Sequence, residues 1–354
     1  MKFIHLSNID LGAEPMHSEH LFVDRAADAW NDFLRVLELC RTEEVDALFI
    51  TGRLFLKTPG EEELQALDER FLHLPDTRVF FAPGIFPGGG DNTVYSEYPW
   101  KSNTHVFTGD SIQRIHVARL SMEVTGVGYS ARSWHKVKPD HLTRGRKGAI
   151  QVLLLPFAGD SPEIPSADTL KALPFDYMGI GQNRSFISEN GNRVYAPGTF
   201  EPSGFEDADR HGYIMGELDN DERKRAGIRC QFVSAENREY LEIRVNAHED
   251  IRYQEVEEQI RNAIDTYGRD HVYRILISGA SSPSLFIMKD NLYRLGKVFA
   301  VIDETDTDAV RALLQKGSEE TAVTRFVDQI LSEDDSAVKQ KAIQYGIDAL
   351  LEEE

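Results

Sequence analysis

The sequence predicts an α/β protein, a layered βαβ sheet followed by a smaller α+β unit. Three observations predict it. Short apolar runs at Lys2 to Leu6, Ala47 to Ile50 and Val79 to Ala82 each stop abruptly at a polar or Gly/Pro turn. Segments with helical spacing of apolar residues lie between them. Beyond about Arg223 the pattern changes to a second, shorter set of strands around one amphipathic segment.

The elements follow in order. Lys2 to Leu6 reads as a buried strand ending in Ser7-Asn8-Ile9-Asp10. Glu19 to Cys40 carries Val23, Ala27, Trp30, Leu34 and Leu37 at helical spacing and reads as a helix. Ala47 to Ile50 is a second strand, closed by Thr51-Gly52-Arg53. Glu61 to Leu72 reads as a helix, and Val79 to Ala82 as a strand stopped by Pro83-Gly84. Later strands are expected at Ile112 to His116, Ser121 to Val124, Ile150 to Leu155, Tyr177 to Gly181, Arg193 to Tyr195 and Gly212 to Glu217. The second unit reads as a strand at Tyr240 to Val245, a helix at Tyr253 to Tyr267, and a strand at Tyr273 to Ser278. Phe286 to Lys289 and Val298 to Ile302 complete it. From Glu304 the chain is acidic and helical in pattern. In sheets of this kind the loops after the strands' C-terminal ends carry the chemistry.

Bulk composition narrows the function classes. The chain has 354 residues, 41% of them hydrophobic, enough for a full core and more than one domain. No apolar run approaches the roughly 20 residues that span a bilayer, and the N-terminus turns polar too soon for a signal peptide. Cys40 and Cys230 are the two cysteines, far apart and in no metal spacing. A reducing, cytoplasmic compartment is the expectation. The formal net charge of -20 opposes a phosphate backbone unless positive charge is gathered locally.

The strand-end loops resemble a known family. Phe3 to Gly12 (FIHLSNIDLG) is similar to FIHLSDLHLG, the first motif of SbcD-type DNA-repair nucleases. These belong to the calcineurin-like metallophosphoesterases. Ala47 to Phe55 (ALFITGRLF) resembles the second motif, which ends GDLFD. Val79 to Pro87 (VFFAPGIFP) stands where a GNHD loop is expected. Val152 to Phe157 (VLLLPF) resembles a strand that ends in His, and Asp176 to Arg184 (DYMGIGQNR) resembles YIALGHIH. Tyr195 to Tyr213 (YAPGTFEPSGFEDADRHGY) is the most distinctive stretch, similar to YPGSPEPLGFDETGRHGY. The likeness runs from residue 1 to about 305. It implies a four-layer metallophosphoesterase sandwich, two mixed sheets flanked by helices, with a small α+β capping domain. The implied divisions are 1–225 for the phosphoesterase-like domain, 226–305 for the cap and 306–354 for a C-terminal helical segment.

The departures from the family pattern fall on the metal ligands. A binuclear centre needs a bridging carboxylate with further Asp, Asn and His ligands, so that two cations can activate water and steady the leaving oxygen. The first motif's Asp and His become Asn8 and Asp10, and the bridging Asp becomes Arg53. The Asn-His pair becomes Ile85 and Phe86, the strand-end His becomes Pro156, and the last two His become Gln182 and Arg184. One carboxylate cannot hold two divalent cations, and an arginine opposes them. Arg53 or Arg184 is therefore expected to pair with Asp10 in place of metal. No catalytic residue, metal or cofactor is expected. The implied function is a non-catalytic SbcD-like subunit. It would serve as a homodimeric scaffold for an SMC-like coiled-coil ATPase (SbcC-like), for DNA, or for both. One alternative is an active DNA exonuclease or phosphodiesterase with a rebuilt metal site, dependent on manganese or another divalent metal. Another is an interaction module unrelated to DNA.

Other candidates come from the residues alone. His17, His20 and Asp24 have i, i+3, i+7 spacing if the helix starts early, which could build a mononuclear metal site; the plain alternative is a solvated helix start. Gly88-Gly89-Gly90 lacks the Gly-Lys-Ser/Thr of a phosphate loop and reads as a turn. Arg132, Lys136, Lys138, Arg144, Arg146 and Lys147 form the one basic segment, a contact for DNA or an acidic partner, or else a solvated loop. His5 reads as a satisfied core residue, and Pro202 to Phe205 with His211 to Tyr213 as fold-holding turns. From Thr321 the tail offers Phe326, Ile330, Ala337, Ile343, Ile347, Leu350 and Leu351 in helical runs. Such runs dock on their own domain or on a partner.

Overall fold

The structure is a computed structural model. It describes residues 1–86, 92–107, 109, 111–130, 139–157, 167–182, 185–188, 193–207, 209–219, 227–235, 238–248, 251–280 and 289–306. The protein is an α/β protein with two mixed six-stranded sheets and two smaller sheets. In chain order the elements begin β1 (Lys2–Ser7), β2 (Met16–His17), β3 (Phe22–Val23), α1 (Arg25–Thr42), β4 (Ala47–Gly52), α2 (Glu61–Leu72), β5 (Arg78–Pro83), α3 (Thr93–Glu97) and β6 (Thr104–Val106). They continue with β7 (Gln113–Val117), β8 (Met122–Gly126), β9 (Ile150–Leu155), α4 (Ala167–Lys171), β10 (Tyr177–Ile180), β11 (Ile187–Ser188), β12 (Val194–Ala196) and β13 (Gly212–Asp219). The last are β14 (Gly227–Ser234), β15 (Tyr240–Ala247), α5 (Tyr253–Tyr267), β16 (Val272–Ala280) and β17 (Val298–Asp306). No helix among the described residues is long and apolar enough to cross a membrane.

The chain divides into two compact units: Met1–Pro15 with Asp24–Asn237, and Met16–Val23 with Arg238–Glu354. In the first unit one sheet has the order β14-β13-β1-β4-β5-β6 and the other β11-β12-β10-β9-β8-β7. β1, β4, β5 and β6 run parallel, with β13 antiparallel to β1 and β14 antiparallel to β13. In the other sheet β8, β9, β10 and β12 are parallel, and the antiparallel strands β7 and β11 close the two edges.

The apolar runs explain this layering. Phe3, Phe49 and Phe80 pack against Met122, Val124, Val152, Leu154 and Tyr177, so the two sheets meet face to face. Tyr177 lies edge-on to Phe3 at 4.7 Å and stacked on Phe49 at 5.9 Å between centroids. The intervening residues Ile4, Leu48, Ile50, Val79 and Phe81 turn to Phe33, Leu37, Leu64 and Phe71 of α1 and α2. Leu153, Leu155, Met178 and Val194 pack against Leu142, Leu170 and Phe175 on the outer face of the other sheet. A strand buried on both faces has no use for alternation, so it reads as a continuous apolar run.

Several sequence expectations are corrected. The helix expected from Glu19 starts at Arg25, because Met16–His17 and Phe22–Val23 pair as a small antiparallel ribbon. Asp24 is the N-cap of α1, its carboxylate accepting from Ala27 N at 3.0 Å. β14 was not expected; it pairs with β13 along its full length, from Gly227 to Ser234. Lys289 begins a 3-10 turn, Lys289–Arg294, and Phe286 to Met288 lie outside the described residues. Glu304, expected to open the helical tail, still belongs to β17.

The second unit is a three-stranded parallel sheet, β15-β16-β17, with α5 on one face. Val256, Ile260 and Ile264 of α5 pack on Ile243, Val245, Tyr273, Ile275 and Ile277. The residues after Asp306, including the apolar runs from Thr321, lie outside the described residues.

Candidate functional site

In the first unit the C-terminal ends of β1, β4, β5, β9 and β10 come together. Their loops carry most of the positions at which the family likeness places metal ligands. Backbone geometry there is specialised: Asn8, Asp10 and Gln182 adopt φ of 47°, 54° and 50°, and Gly52 a φ of 77°. Asn and Asp tolerate this left-handed region better than most residues, and glycine enters it freely.

Arg53 turns inward. Its Nε and one terminal nitrogen donate to the two carboxylate oxygens of Asp10 at 2.7 and 2.6 Å. Both side chains are about a quarter exposed, at 24% and 21%. The Asp10 carboxylate holds the Arg53 guanidinium above its ordinary pKa, principally through the hydrogen bond. Two parallel charge-assisted bonds of this kind fix the planar guanidinium in one orientation. Arg184, the other candidate partner, lies outside the described residues.

The neutral replacements lock the loops to one another. The Asn8 side-chain oxygen accepts from Arg53 N at 3.3 Å and from Gln182 N at 3.2 Å, joining the ends of β1, β4 and β10. The Gln182 side chain pairs with one backbone residue in both directions. Ile85 N donates to its oxygen at 2.8 Å, and its nitrogen donates to Ile85 O at 2.9 Å. Asn92 donates to Gly84 O at 2.5 Å, and Gly84 N donates to Gly52 O at 2.9 Å. Phe86 is 4% exposed and stacked on Tyr95 at 5.8 Å, so it fills space instead of facing a ligand. Pro156 is buried behind the same crossing.

Three glycines make this close approach possible, and the motif reading did not single them out. A Cβ on Gly52 would stand 2.4 Å from the Asn8 oxygen and 2.8 Å from Gln182 N. One on Gly181 would stand 2.2 Å from Gly52 N and 2.5 Å from Pro156 O. One on Gly84 would meet the Gln182 oxygen at 2.7 Å. The available signal was a glycine at or beside the end of three apolar strands.

The donor set does not suit a pair of divalent cations. Both oxygens of Asp10 are engaged by a cation already, the Asn8 oxygen serves two backbone amides, and Gln182 is spent on Ile85. Hard cations require several free oxygen ligands. Among the described residues no three His, Cys, Asp or Glu gather to hold a metal ion. His17, His20 and Asp24 are no exception: no helix joins them, and the His20 ring lies 3.8 Å from that of Tyr293 within the second unit.

His5 sits directly beneath the crossing. It is fully buried, with Nδ1 2.7 Å from the Tyr177 hydroxyl and Nε2 2.8 Å from Thr51 Oγ1. Burial pushes its pKa down to about 3, so the ring is neutral at physiological pH. The motif-like stretch after β12 is structural in the same sense. Phe200 is fully buried, its amide donates to Asn8 O at 3.2 Å, and Thr199 Oγ1 lies 2.9 Å from His211 Nδ1. Glu201 and Asp32 form a carboxyl pair there. Burial, then the neighbouring Asp32, pushes the Glu201 pKa up to about 9. Nothing in the sequence pattern marked that pair.

The basic segment separates into parts. Arg132, Lys136 and Lys138 lie outside the described residues. Arg144 donates to the buried Asp176 carboxylate at 3.2 Å, so it is committed to the fold. Arg146 and Lys147 are exposed.

No protein-family model matches this chain, and no curated protein matches it.

Proposed function

We propose that the first unit is a metallophosphoesterase sandwich of the SbcD type whose catalytic crossing has become a structural one. On this reading the chain is a non-catalytic, homodimeric subunit that serves an SMC-like coiled-coil ATPase, DNA, or both. One observation carries the proposal. Arg53 engages Asp10 through both carboxylate oxygens at the strand ends, where the family pattern has a bridging carboxylate and a ligand. An uncompensated carboxylate left behind by lost metal would be costly, and the guanidinium supplies the missing charge. The Asn8 and Gln182 contacts support the same reading, since they close the crossing with neutral bonds. Two facing mixed sheets with their parallel strand ends gathered at one edge support the fold assignment.

The test is hydrolysis of duplex DNA by the purified full chain in millimolar manganese, with the metal content of the same sample measured. The expected result is no turnover above buffer and less than one equivalent of bound metal. Manganese-dependent cleavage that disappears in Asp10→Ala would overturn the proposal and restore the enzymatic alternative. Retention of a long coiled-coil ATPase on the immobilised chain separates the ATPase scaffold from a module unrelated to DNA.

A further inference from the structure

Strand β14 is a long sheet edge with little to guard it. Among the described residues it pairs with β13 alone, from Gly227 to Ser234, and is the last strand of its sheet. The other edge strands of the two large sheets, β6, β7 and β11, span 3, 5 and 2 residues, against 8 for β14. A sheet edge offers unpaired N–H and C=O groups to another strand, and proteins blunt it with short strands, charged side chains, proline or bulges. β14 reads GIRCQFVS, with no proline and a single charge. That charge, Arg229, is engaged by Glu217 of β13 at 2.6 Å, and the register with β13 runs without a shift.

The ladder fixes which backbone groups face outward. Met1 N donates to Leu218 O at 3.0 Å and Leu218 N to Met1 O at 2.9 Å, so the even-numbered residues of β13 bond on the β1 side. Its odd-numbered neighbours bond toward β14. The same phase appears where Ala235 N donates to His211 O at 3.3 Å, one step beyond the pairing of Ser234 with Gly212. Hydrogen-bonded and non-hydrogen-bonded pairs alternate along an antiparallel ladder. Arg229, Gln231 and Val233 therefore spend their amides on β13, while Ile228, Cys230 and Phe232 point theirs away from it. Among the described residues no backbone hydrogen bond meets those outward groups.

We infer that the β14 edge joins two copies of this chain, paired as antiparallel strands about a two-fold axis at Cys230. A two-fold axis perpendicular to the sheet keeps facing residues on the same side of it. An outward-pointing residue must then face its own copy, and Cys230 at the centre gives the longest overlap, Gly227 to Val233. Ile228 of one copy faces Phe232 of the other. Both lie on the side toward the second sheet, where Ile228 packs on the core between the sheets and Phe232 lies 4.7 Å from the Phe186 ring. On the other side Arg229 faces the neutral Gln231, so no like charges meet across the axis. The outward residues exchange about six hydrogen bonds. A strand complementary to itself in polarity, charge and hydrogen-bond phase suits a second copy better than an unrelated strand. This edge gives the proposed homodimer its surface, and it rests on that reading for the existence of the dimer alone.

The test uses the full chain in sedimentation equilibrium and amide hydrogen exchange, each over a roughly 100-fold range of concentration. A monomer–dimer equilibrium is expected. Amides of Ile228, Cys230 and Phe232 are expected to exchange about 10-fold more slowly in the dimer than in the monomer, with those of Arg229, Gln231 and Val233 less affected. Gln231 is exposed, so substitutions there leave the core untouched. Gln231→Lys sets a cation against Arg229 of the second copy and is expected to weaken the dimer several-fold. Gln231→Glu is expected to strengthen it by a similar factor. A dimer indifferent to both substitutions, or one whose outward amides stay unprotected, overturns the inference and leaves the homodimer to another surface. A monomer at every concentration overturns both. Outward amides already protected in the monomer show that the chain covers its own edge, and they overturn the inference as well.

Discussion

The two sheet regions described above differ in how completely they are satisfied. At the strand ends of the first unit, Asp10, Arg53, Asn8 and Gln182 spend their polar atoms on one another and on the backbone. In the parallel sheet of the second unit, Ile302 and Leu276, which sit side by side on β17 and β16, are left partly in water. A region with its donors and acceptors saturated gains little from a ligand, which would have to break internal bonds to bind. A region with uncovered apolar area gains from any surface that removes it from water. The contrast is between polar strand-end loops that hold one another and a sheet surface that keeps apolar area in contact with water.

The largest test of that contrast is steric. Gly181→Ala places a methyl against the backbone of Gly52 and Pro156 with no flexible side chain to yield. It is expected to destabilise the protein by about 3 kcal/mol or more, read as a drop in the denaturant midpoint. A cost under about 0.5 kcal/mol would mean the crossing is looser than the distances imply.

Next in size is the ion pair. Asp10→Ala is expected to cost about 1 to 3 kcal/mol, moderated because both partners are about a quarter exposed. Arg53→Ala and the double variant complete a cycle, with a favourable coupling of about 1 kcal/mol as the expected result. Zero coupling would show that the two residues lie side by side without holding the loops.

The smallest effect concerns pH. Glu201 has its folded pKa raised from 4.5 to about 9, so the folded state binds the proton more tightly than the unfolded chain. Stability from this group is therefore fully present below pH 4.5 and is lost as pH rises through about 9. Arg25 works against the shift, while Asp28 and Asp32 reinforce it. Glu201→Gln keeps a hydrogen-bond donor toward Asp32 without a titrating proton. It is expected to raise stability at pH 8 by about 1 kcal/mol relative to pH 5. Parallel urea melts at the two pH values give the answer, and an unchanged difference would remove the pair as a source of pH dependence.

Legibility varied by element. The apolar strands at Lys2, Ala47, Val79 and Ile150 were readable because double-sided burial leaves no polar position to confuse the pattern. Helix α5 was readable to its ends for the opposite reason, a single apolar stripe bounded by polar residues. β14 was missed because it is an edge strand with alternating partial exposure and a weak apolar signal. The start of α1 was misplaced because Val23 continues the helical spacing by coincidence, while its backbone pairs with Met16. Arg144 was grouped with exposed cations because nothing local reveals Asp176, a buried carboxylate from a distant strand end.

The linear sequence is enough to place an arginine, Arg53, and an asparagine, Asn8, just past the ends of the first two apolar strands. It also determined the apolar runs from which two buried sheets are built. The tertiary structure decided what those side chains do. That Asp10 engages Arg53, and that Gln182 closes on Ile85, depend on loops distant in sequence brought within 3 Å. That proximity rests on glycines without a Cβ and on the packing of whole sheets, neither of which a single stretch of residues encodes.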